Sequence, residues 1–213
     1  MTEPPTEPTT EPTTEPTRTE SPTTAGGVVD VREAMAATPR QDFLPEAQRG
    51  SAHLDQPLPI GHEQTSSQPT TVRHMLEALD VHAGQRVLDV GAGSGWTTVI
   101  LGRLVGPAGD VLGLELQPEL AAWGADNVEA AGLPWVRLEP ARPGHLGRAE
   151  SGPYDRILVS AEAEELPEAL VDQLAEGGTM VLPVTGRLLR VHREPGGPTS
   201  VEALGHYRFV PLR

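Results

Sequence analysis

The chain has 213 residues, with 30 acidic and 16 basic side chains, and carries a formal net charge of −14. It contains no Cys, and every basic residue is Arg, so disulfides, Cys zinc sites, thiol nucleophiles, Schiff-base lysines and P-loop lysines are excluded. The acidity argues against sequence-independent nucleic-acid binding, which needs a basic face. No apolar run approaches the roughly 18 residues of a membrane span, and no signal peptide opens the chain. We therefore expect a soluble, cytoplasmic protein that binds neither nucleic acid nor membranes.

The first segment, residues 1–27, differs in composition from the rest of the chain. It repeats Thr, Glu and Pro, and Glu3, Glu7, Glu11 and Glu15 are each followed by Pro. Pro interrupts helices and strands, and nothing here is apolar enough to offset the entropy of ordering. The sequence predicts a disordered tail of charge −4, which leaves −10 on one folded domain over residues 28–213. A solvating extension and a Pro-rich docking ligand remain alternative roles for the tail.

From residue 28 the chain alternates between helical and strand patterns. The predicted helices cover residues 29–37, 70–80, 96–105, 118–131 and 167–175, and residues 42–60 have no clear period. The predicted strands cover residues 86–90, 110–116, 135–138, 156–160, 179–184, 188–193 and 206–212. This alternation indicates an α/β fold: a doubly wound, mostly parallel sheet with helices on both faces. The last strands lack long crossovers, so we expect antiparallel strands at the C-terminal end.

The turn after the strand at residues 86–90 is rich in glycine. Gly91, Gly93 and Gly95 form G-x-G-x-G, whereas the dinucleotide fingerprint is G-x-G-x-x-G. Such a turn lets the backbone approach a ligand, and the next helix start offers free N–H groups. Asp89 lies inside the preceding strand, where its carboxylate can meet a ligand ammonium directly or through water. This combination favours S-adenosyl-L-methionine over NAD, and a plain strand–helix connection is the alternative.

A second acidic residue, Glu115, ends the strand that follows. A carboxylate at this position accepts hydrogen bonds from both ribose hydroxyls of a nucleoside. NAD sites use the same device, so Glu115 supports a nucleoside ligand without choosing between cofactors. A solvated Glu at a strand end is the alternative. The seven His show no metal-ligand spacing, and we predict no metal site.

The residues just before this fold carry a family resemblance. Residues 59–69, PIGHEQTSSQP, resemble the PIGHGQTISQP segment of the protein-L-isoaspartate O-methyltransferases, and residues 39–46, PRQDFLPE, resemble that family's PRxxFVPE stretch. The blocks LDVGAGSGW, VLGLELQPEL, PYDRILVSA, LPEALVDQLAEGG and RFVPL match the family's later blocks in order. The resemblance covers residues 28–213. The glycine motif is common to many methyltransferases, whereas the GHxQTxSQP segment is far more specific.

The resemblance implies a Rossmann-like methyltransferase fold and a repair reaction. The family transfers the methyl group of S-adenosyl-L-methionine to the free α-carboxylate of an L-isoaspartyl residue in a damaged protein or peptide. A carboxylate is already ionised at neutral pH, so the reaction needs no general base. By resemblance Ser67 is the active-site serine, whose hydroxyl orients the acceptor, or it caps the helix that begins near residue 69. Gln64 and Thr65 line the same loop, and His62 contacts the substrate or satisfies the loop backbone.

Three positions depart from the family pattern. Glu63 replaces a Gly beside the substrate loop, and Glu162 replaces a small residue after the block RILVSA. If they face the site, these carboxylates weaken the binding of an anionic acceptor. Pro143 stands where the family has an Asp near adenine, so adenine recognition must be remade or weakened. Because of these departures, two alternative functions remain open. The protein could be a carboxyl methyltransferase that acts on another peptide or small-molecule acceptor, or a non-catalytic cofactor-binding protein. We expect a monomer.

Overall fold

A computed structural model describes residues 1–2 and 29–212 of the chain. Apart from its first two residues, the predicted disordered tail lies outside the described residues. The helices are α1 (Val31–Ala36), α2 (Glu46–Arg49), α3 (Pro69–Leu79), α4 (Trp96–Val105), α5 (Pro118–Ala130) and α6 (Glu168–Val171), with short 3₁₀ helices at Arg40–Phe43 and Ala149–Ser151. Across the described ranges, none of these helices combines the length and apolar character that crossing a membrane requires.

A seven-stranded sheet in the order β5-β4-β3-β6-β7-β8-β9 forms the centre of the fold. Its strands are β3 (Arg86–Val90), β4 (Asp110–Glu115), β5 (Val136–Pro140), β6 (Tyr154–Val159), β7 (Leu174–Val184), β8 (Arg187–Arg193) and β9 (Thr199–His206). The strands from β5 to β7 pair in parallel, whereas β8 and β9 are antiparallel. A separate hairpin consists of β1 (Leu58–Gly61) and β2 (Gln64–Ser66). These pairings confirm the predicted α/β fold and its antiparallel C-terminal end.

Alternating side chains of the central strands fill two hydrophobic layers. Val87 of β3 packs with the apolar face of α3 and with α4, where Val72, Leu76 and Ile100 are buried. Leu88, the next residue of β3, belongs to the opposite layer, which α6 covers. Successive side chains of a strand point to opposite faces, so a β3 that is buried on both sides must lie inside the sheet. The strand order changes direction at β3, and in such sheets ligands bind at the carboxyl ends of the strands beside this point.

Two predicted elements near the C-terminus were wrong. The helix predicted over residues 167–175 ends at Val171, because Leu174 already pairs with Tyr154 as β7 begins. The last strand is β9, which ends at His206, rather than a strand over residues 206–212. Beyond it the chain leaves the sheet, and Pro211 forms an isolated parallel bridge with Glu162. In both cases long-range backbone pairing determined the structure, and local sequence preference did not.

The segment without a clear period, residues 42–60, is more ordered than the sequence indicates. It contains the end of a 3₁₀ helix, then α2, and finally β1. Leu44, Leu58 and Ile60 are buried there in a small cluster with Leu120 of α5. This cluster anchors the β1–β2 hairpin above the carboxyl ends of the strands.

Candidate active site

The carboxyl ends of β3, β4 and β6 form the floor of a cleft. The space between its walls is about 950 Å³, a volume that includes open solvent. On one side lie the glycine turn after β3 and the end of β4. On the other side lie the β1–β2 hairpin and the residues that lead into α3. The two segments that the sequence singled out therefore face each other across one cleft.

The glycine turn has a backbone that only glycine adopts readily. Gly91, Gly93 and Gly95 have φ angles of 76°, 56° and 87°, all in the left-handed region. A Cβ on Gly95 would lie 3.0 Å from the carbonyl oxygen of Gly124 in α5. A Cβ on Gly124 would lie only 2.6 Å from the carbonyl oxygen of Gly93. The turn and α5 are therefore in backbone contact, and their glycines hold the turn in this shape.

Asp89 lies completely buried beneath this turn. Its Oδ2 accepts hydrogen bonds from the hydroxyls of Thr97 and Thr98, at 2.8 and 2.7 Å. Its Oδ1 is buried without a hydrogen-bond partner among the described residues. Burial raises the pKa of Asp89 to about 6, although the hydrogen bonds from the two threonines act in the opposite direction and lower it. A buried oxygen without a partner is costly, so this atom marks a place where a ligand donor or a water completes the site.

Glu115 ends β4 and closes the cleft beside the glycine turn. Its side chain is buried, and one oxygen accepts the N–H of Gly93 at 2.9 Å. The other oxygen accepts the N–H of Gln117, also at 2.9 Å. Each carboxylate oxygen can accept a further hydrogen bond, so Glu115 orients the turn and still has capacity for hydroxyl donors in the cleft.

The hairpin wall presents Gln64, Thr65 and Ser67 to the cleft. Gln68 occupies the N-cap position of α3 without a side-chain capping hydrogen bond, and the N–H of Thr70 in the first turn donates to Asp55 at 2.8 Å. The helix start therefore obtains its side-chain acceptor from Asp55, fifteen residues earlier in the chain, and Ser67 lies at the cleft wall.

Three residues about which the sequence raised questions are not among the residues that line the cleft. His62 and Glu63 form the exposed β1–β2 turn with φ angles of 50° and 59°, and the carbonyl of His62 accepts from the Gln64 side chain. Neither residue lines the cleft. The backbone of Glu162 exchanges hydrogen bonds with Val210 and Leu212. Arg142, which lies between β5 and the 3₁₀ helix Ala149–Ser151, pairs with Glu150 at 2.6 Å.

The structure adds wall residues that sequence reasoning missed. His145, Leu146 and Gly147 line the end of the cleft next to Glu115, and Pro143 is not among the lining residues. The C-terminal segment from Val210 to Leu212 lines it from above. No local pattern predicts that these residues line a cleft, because their position depends on the path of the chain after β5 and β9.

A second groove opens beside the cleft. The two share Thr65, Ser67, Ser160 and Val210. Farther out, the groove is lined by three side chains that carry or can gain positive charge, His74, His206 and Arg208, and by no acidic side chain of the described residues. In an acidic protein this groove is the side of the site that can attract an anionic group.

Comparisons with known proteins place this site in a family. The family model for protein-L-isoaspartate(D-aspartate) O-methyltransferase matches residues 25–213. The protein-L-isoaspartate O-methyltransferase of Aeropyrum pernix is 47% identical over 186 residues, which cover 85% of this chain and 72% of that protein. The enzyme of the same name from Methanopyrus kandleri is 41% identical, with coverage of 85% and 82%.

Solved structures agree with this assignment. A protein-L-isoaspartate O-methyltransferase is similar with a TM-score of 0.78 and 26% identity, over 86% of this chain and 61% of that one. A putative protein-L-isoaspartate O-methyltransferase from Plasmodium falciparum, solved with S-adenosyl-L-homocysteine, has a TM-score of 0.74 and 27% identity over 86% and 90% of the two chains. This chain therefore belongs to the protein-L-isoaspartate(D-aspartate) O-methyltransferase family.

Proposed function

We propose that this protein transfers a methyl group from S-adenosyl-L-methionine to the free α-carboxylate of L-isoaspartyl residues in damaged proteins and peptides. One observation carries the proposal: the loop with Gln64, Thr65 and Ser67 faces the glycine turn across a single cleft. The family match and the relatives named above support the same reaction.

The residues of the cleft fit the cofactor. Asp89 does not itself line the cleft but lies beneath the turn that does, and its buried Oδ1 lacks a partner among the described residues, which suits a water that links it to the ammonium of the methionine part. Glu115 suits the ribose hydroxyls, and the glycine turn gives the close backbone approach that the ligand needs. Next to Glu115, the wall of His145, Leu146 and Gly147 suits the adenine.

When bound, the cofactor supplies an electrophilic methyl group on a sulfonium. The acceptor carboxylate is the nucleophile and is already ionised near neutral pH, so no protein group has to remove a proton. The chain's task is to align the acceptor oxygen with the methyl group and to exclude water. We assign the first task to the Ser67 hydroxyl as a hydrogen-bond donor to the acceptor. We assign the second to the hairpin wall and to the segment from Val210 to Leu212.

The acceptor peptide, in this proposal, lies in the second groove. This groove meets the cleft at Thr65 and Ser67, and Arg208 is one of its lining residues. The net charge of −14 is then compatible with an anionic acceptor, because the local charge of the groove differs from that of the whole chain. Glu63 and Glu162 do not line the cleft or the groove, so they give no reason to prefer another acceptor.

We extend the proposal to the organisation of the chain. The methyltransferase domain covers residues 28–213, residues 1–27 form a separate disordered tail, and the enzyme is a cytoplasmic monomer whose partners are isoaspartyl proteins and peptides. Limited proteolysis should remove the tail without loss of activity, and sedimentation should give the mass of one chain. A stable dimer, or loss of activity with the tail, would contradict this organisation.

The decisive experiment is methyl transfer from radiolabelled S-adenosyl-L-methionine. An isoaspartyl peptide and the same peptide with normal aspartate are incubated with the full chain. We expect base-labile methyl incorporation into the isoaspartyl peptide only. Binding of S-adenosyl-L-homocysteine without transfer to either peptide would overturn the proposed function.

A further inference from the structure

A buried arginine joins the two walls of the cleft. Arg40 lies in the 3₁₀ helix Arg40–Phe43 and exposes only 6% of its surface. The neighbouring α1 and this helix precede the hairpin in the chain and take no part in the cleft lining. A charged side chain is rarely buried so far unless its hydrogen-bond donors are satisfied.

The guanidinium donates to two backbone segments and to one hydroxyl. Its Nε donates to the hydroxyl of Ser66 at 3.1 Å, and its Nη2 contacts the carbonyl oxygens of Ser66 and Ser67, both at 3.0 Å. The same Nη2 lies 2.9 Å from the carbonyl of Gln56, and Nη1 donates to the carbonyl of Leu54 at 3.1 Å. The peptide units before and after Ser67 are therefore fixed relative to the preceding loop.

The same guanidinium also lies over the ring of Trp96, a residue of the opposite cleft wall. The guanidinium carbon of Arg40 lies 5.5 Å from the ring centroid of Trp96, within the range of a cation–π contact. Trp96 is the first residue of α4, directly after the glycine turn, and it lines the cleft. Its indole N–H donates to the carbonyl of Thr38 at 2.9 Å, so the ring has an anchor of its own.

We propose that Arg40 is a positioning residue for methyl transfer: it sets the distance between the Ser67 loop and the glycine turn without touching either substrate. This inference rests on the proposed function. A lysine in this position would keep the positive charge, but its single ammonium lacks the planar fork that reaches several carbonyls and lies on the indole ring. Misplacement of a reacting group by about 1 Å can cost about a hundredfold in rate.

The chain offers a matched control for the variant Arg40→Lys. Arg156, in β6, is buried to a similar degree, at 8% exposure, and donates to the backbone carbonyls of Asp80 and Asp155, both at 2.9 Å. Burial lowers the pKa of both Arg40 and Arg156. Arg156 lies near the amino end of its strand, whereas Ser160, just beyond the carboxyl end, lines the cleft. Arg156→Lys therefore reproduces the stability cost away from the site.

The test compares both variants with the wild type in turnover of an isoaspartyl peptide, S-adenosyl-L-homocysteine affinity and thermal unfolding. We expect Arg40→Lys to lower kcat by tenfold or more while the affinity stays within about threefold of the wild-type value, because Trp96 keeps its Thr38 contact. Arg156→Lys should lose similar thermal stability and keep its kcat. Equal kcat losses in both variants, or affinity that falls in step with kcat, would overturn the inference.

A second variant keeps the test valid if Arg40→Lys does not fold. Ser66 is a buried residue of the cleft wall, and Ser66→Ala removes the acceptor of the Arg40 Nε; we expect a smaller fall in kcat with unchanged cofactor affinity. A Ser66→Ala protein with wild-type kcat would count against the inference. If the wild type itself methylates no isoaspartyl peptide, the proposed function fails. If the wild type is active and Arg40→Lys and Ser66→Ala have the wild-type kcat, the proposed function stands and only the proposed role of Arg40 fails.

Discussion

The hydroxyl of Thr98 donates a 2.7 Å hydrogen bond to Oδ2 of Asp89, and both residues are completely buried. With the second bond from Thr97, one oxygen of the carboxylate is satisfied, and the other has no partner in the part of the chain that the structure describes. Burial is the main reason that the pKa of Asp89 rises to about 6, and the nearby charge of Glu115 adds to the rise. A cationic ligand near this carboxylate would therefore stabilise its ionised form, which burial disfavours.

Affinity for S-adenosyl-L-homocysteine should fall as the pH is lowered through 6. Below this pH the carboxyl of Asp89 in the ligand-free protein becomes neutral and no longer attracts the ligand ammonium. From pH 7.5 to 5.0 we expect a loss of about tenfold, measured by calorimetric titration. In Asp89→Asn the affinity should be lower at pH 7.5 and nearly constant over this range. An equally steep pH dependence in the variant would assign the effect to another group.

The same carboxylate should make the ligand-free protein less stable as the pH rises from about 4 to 6. In this window the folded protein binds a proton at Asp89 that the unfolded chain, with an ordinary pKa of 3.8, has released, so raising the pH favours unfolding. Asp89→Asn removes this dependence. The unfolding free energy of the variant minus that of the wild type should therefore increase by an amount on the order of 2 kcal/mol when the pH is raised from 4.5 to 7.5. Denaturant titrations at the two pH values measure the change, and a constant difference would contradict the prediction.

Replacing Ser67 by Ala should impair transfer without destabilising the fold. The first turn of α3 obtains its acceptor from Asp55, which receives the N–H of Thr70 and the side-chain amide of Gln68. We expect kcat to fall by tenfold or more, with unchanged affinity for S-adenosyl-L-homocysteine and an unchanged melting temperature.

Asp55→Ala provides the comparison for this variant. It removes the acceptor at the helix start and should lower the melting temperature more than Ser67→Ala does. If Ser67→Ala were the more destabilising of the two, the capping role considered from the sequence would regain support.

The parts of the fold that follow from local patterns were predictable. The strand Arg86–Val90 and the helix Trp96–Val105 have the predicted bounds, because the strand is a short buried apolar run and the helix begins after a glycine turn. The facing of this turn and the Ser67 loop across one cleft was expected only through the family resemblance. Nothing in the local pattern of residues 59–69 specifies where the hairpin lies.

The remaining features depend on contacts between distant parts of the chain. His62 lies outside the cleft because the β1–β2 pairing places it in the exposed turn. The buried position of Arg40 depends on carbonyls that lie fourteen to twenty-seven residues later. Leu174 belongs to β7 because it pairs with Tyr154. A periodicity read along a single stretch contains no information on such partners.

A methyl group on Gly124 should weaken cofactor binding although it favours the helix. In an exposed helix, Gly to Ala gains about 1 kcal/mol. At Gly124 the new Cβ would lie 2.6 Å from the carbonyl oxygen of Gly93, so the glycine turn must shift. We expect Gly124→Ala to lose affinity for S-adenosyl-L-homocysteine by tenfold or more in calorimetric titration, whereas Asp126→Ala, at an exposed position of the same helix, should bind normally. Wild-type affinity in Gly124→Ala would show that the turn tolerates the displacement.

Removing the charge of Arg208 should raise the KM for the acceptor peptide and leave the cofactor affinity unchanged. Arg208 lines the groove beside the cleft and is exposed, so its attraction for an anionic acceptor is worth less than about 1 kcal/mol. This corresponds to an increase in KM of about twofold to fivefold in Arg208→Gln, measured with an isoaspartyl peptide at low ionic strength. Arg190→Gln changes the net charge by the same amount at an exposed ion pair with Glu202, outside the groove. The increase should shrink with added salt in Arg208→Gln and be absent in Arg190→Gln. An equal increase in both variants would assign the effect to the charge of the whole protein and not to the groove.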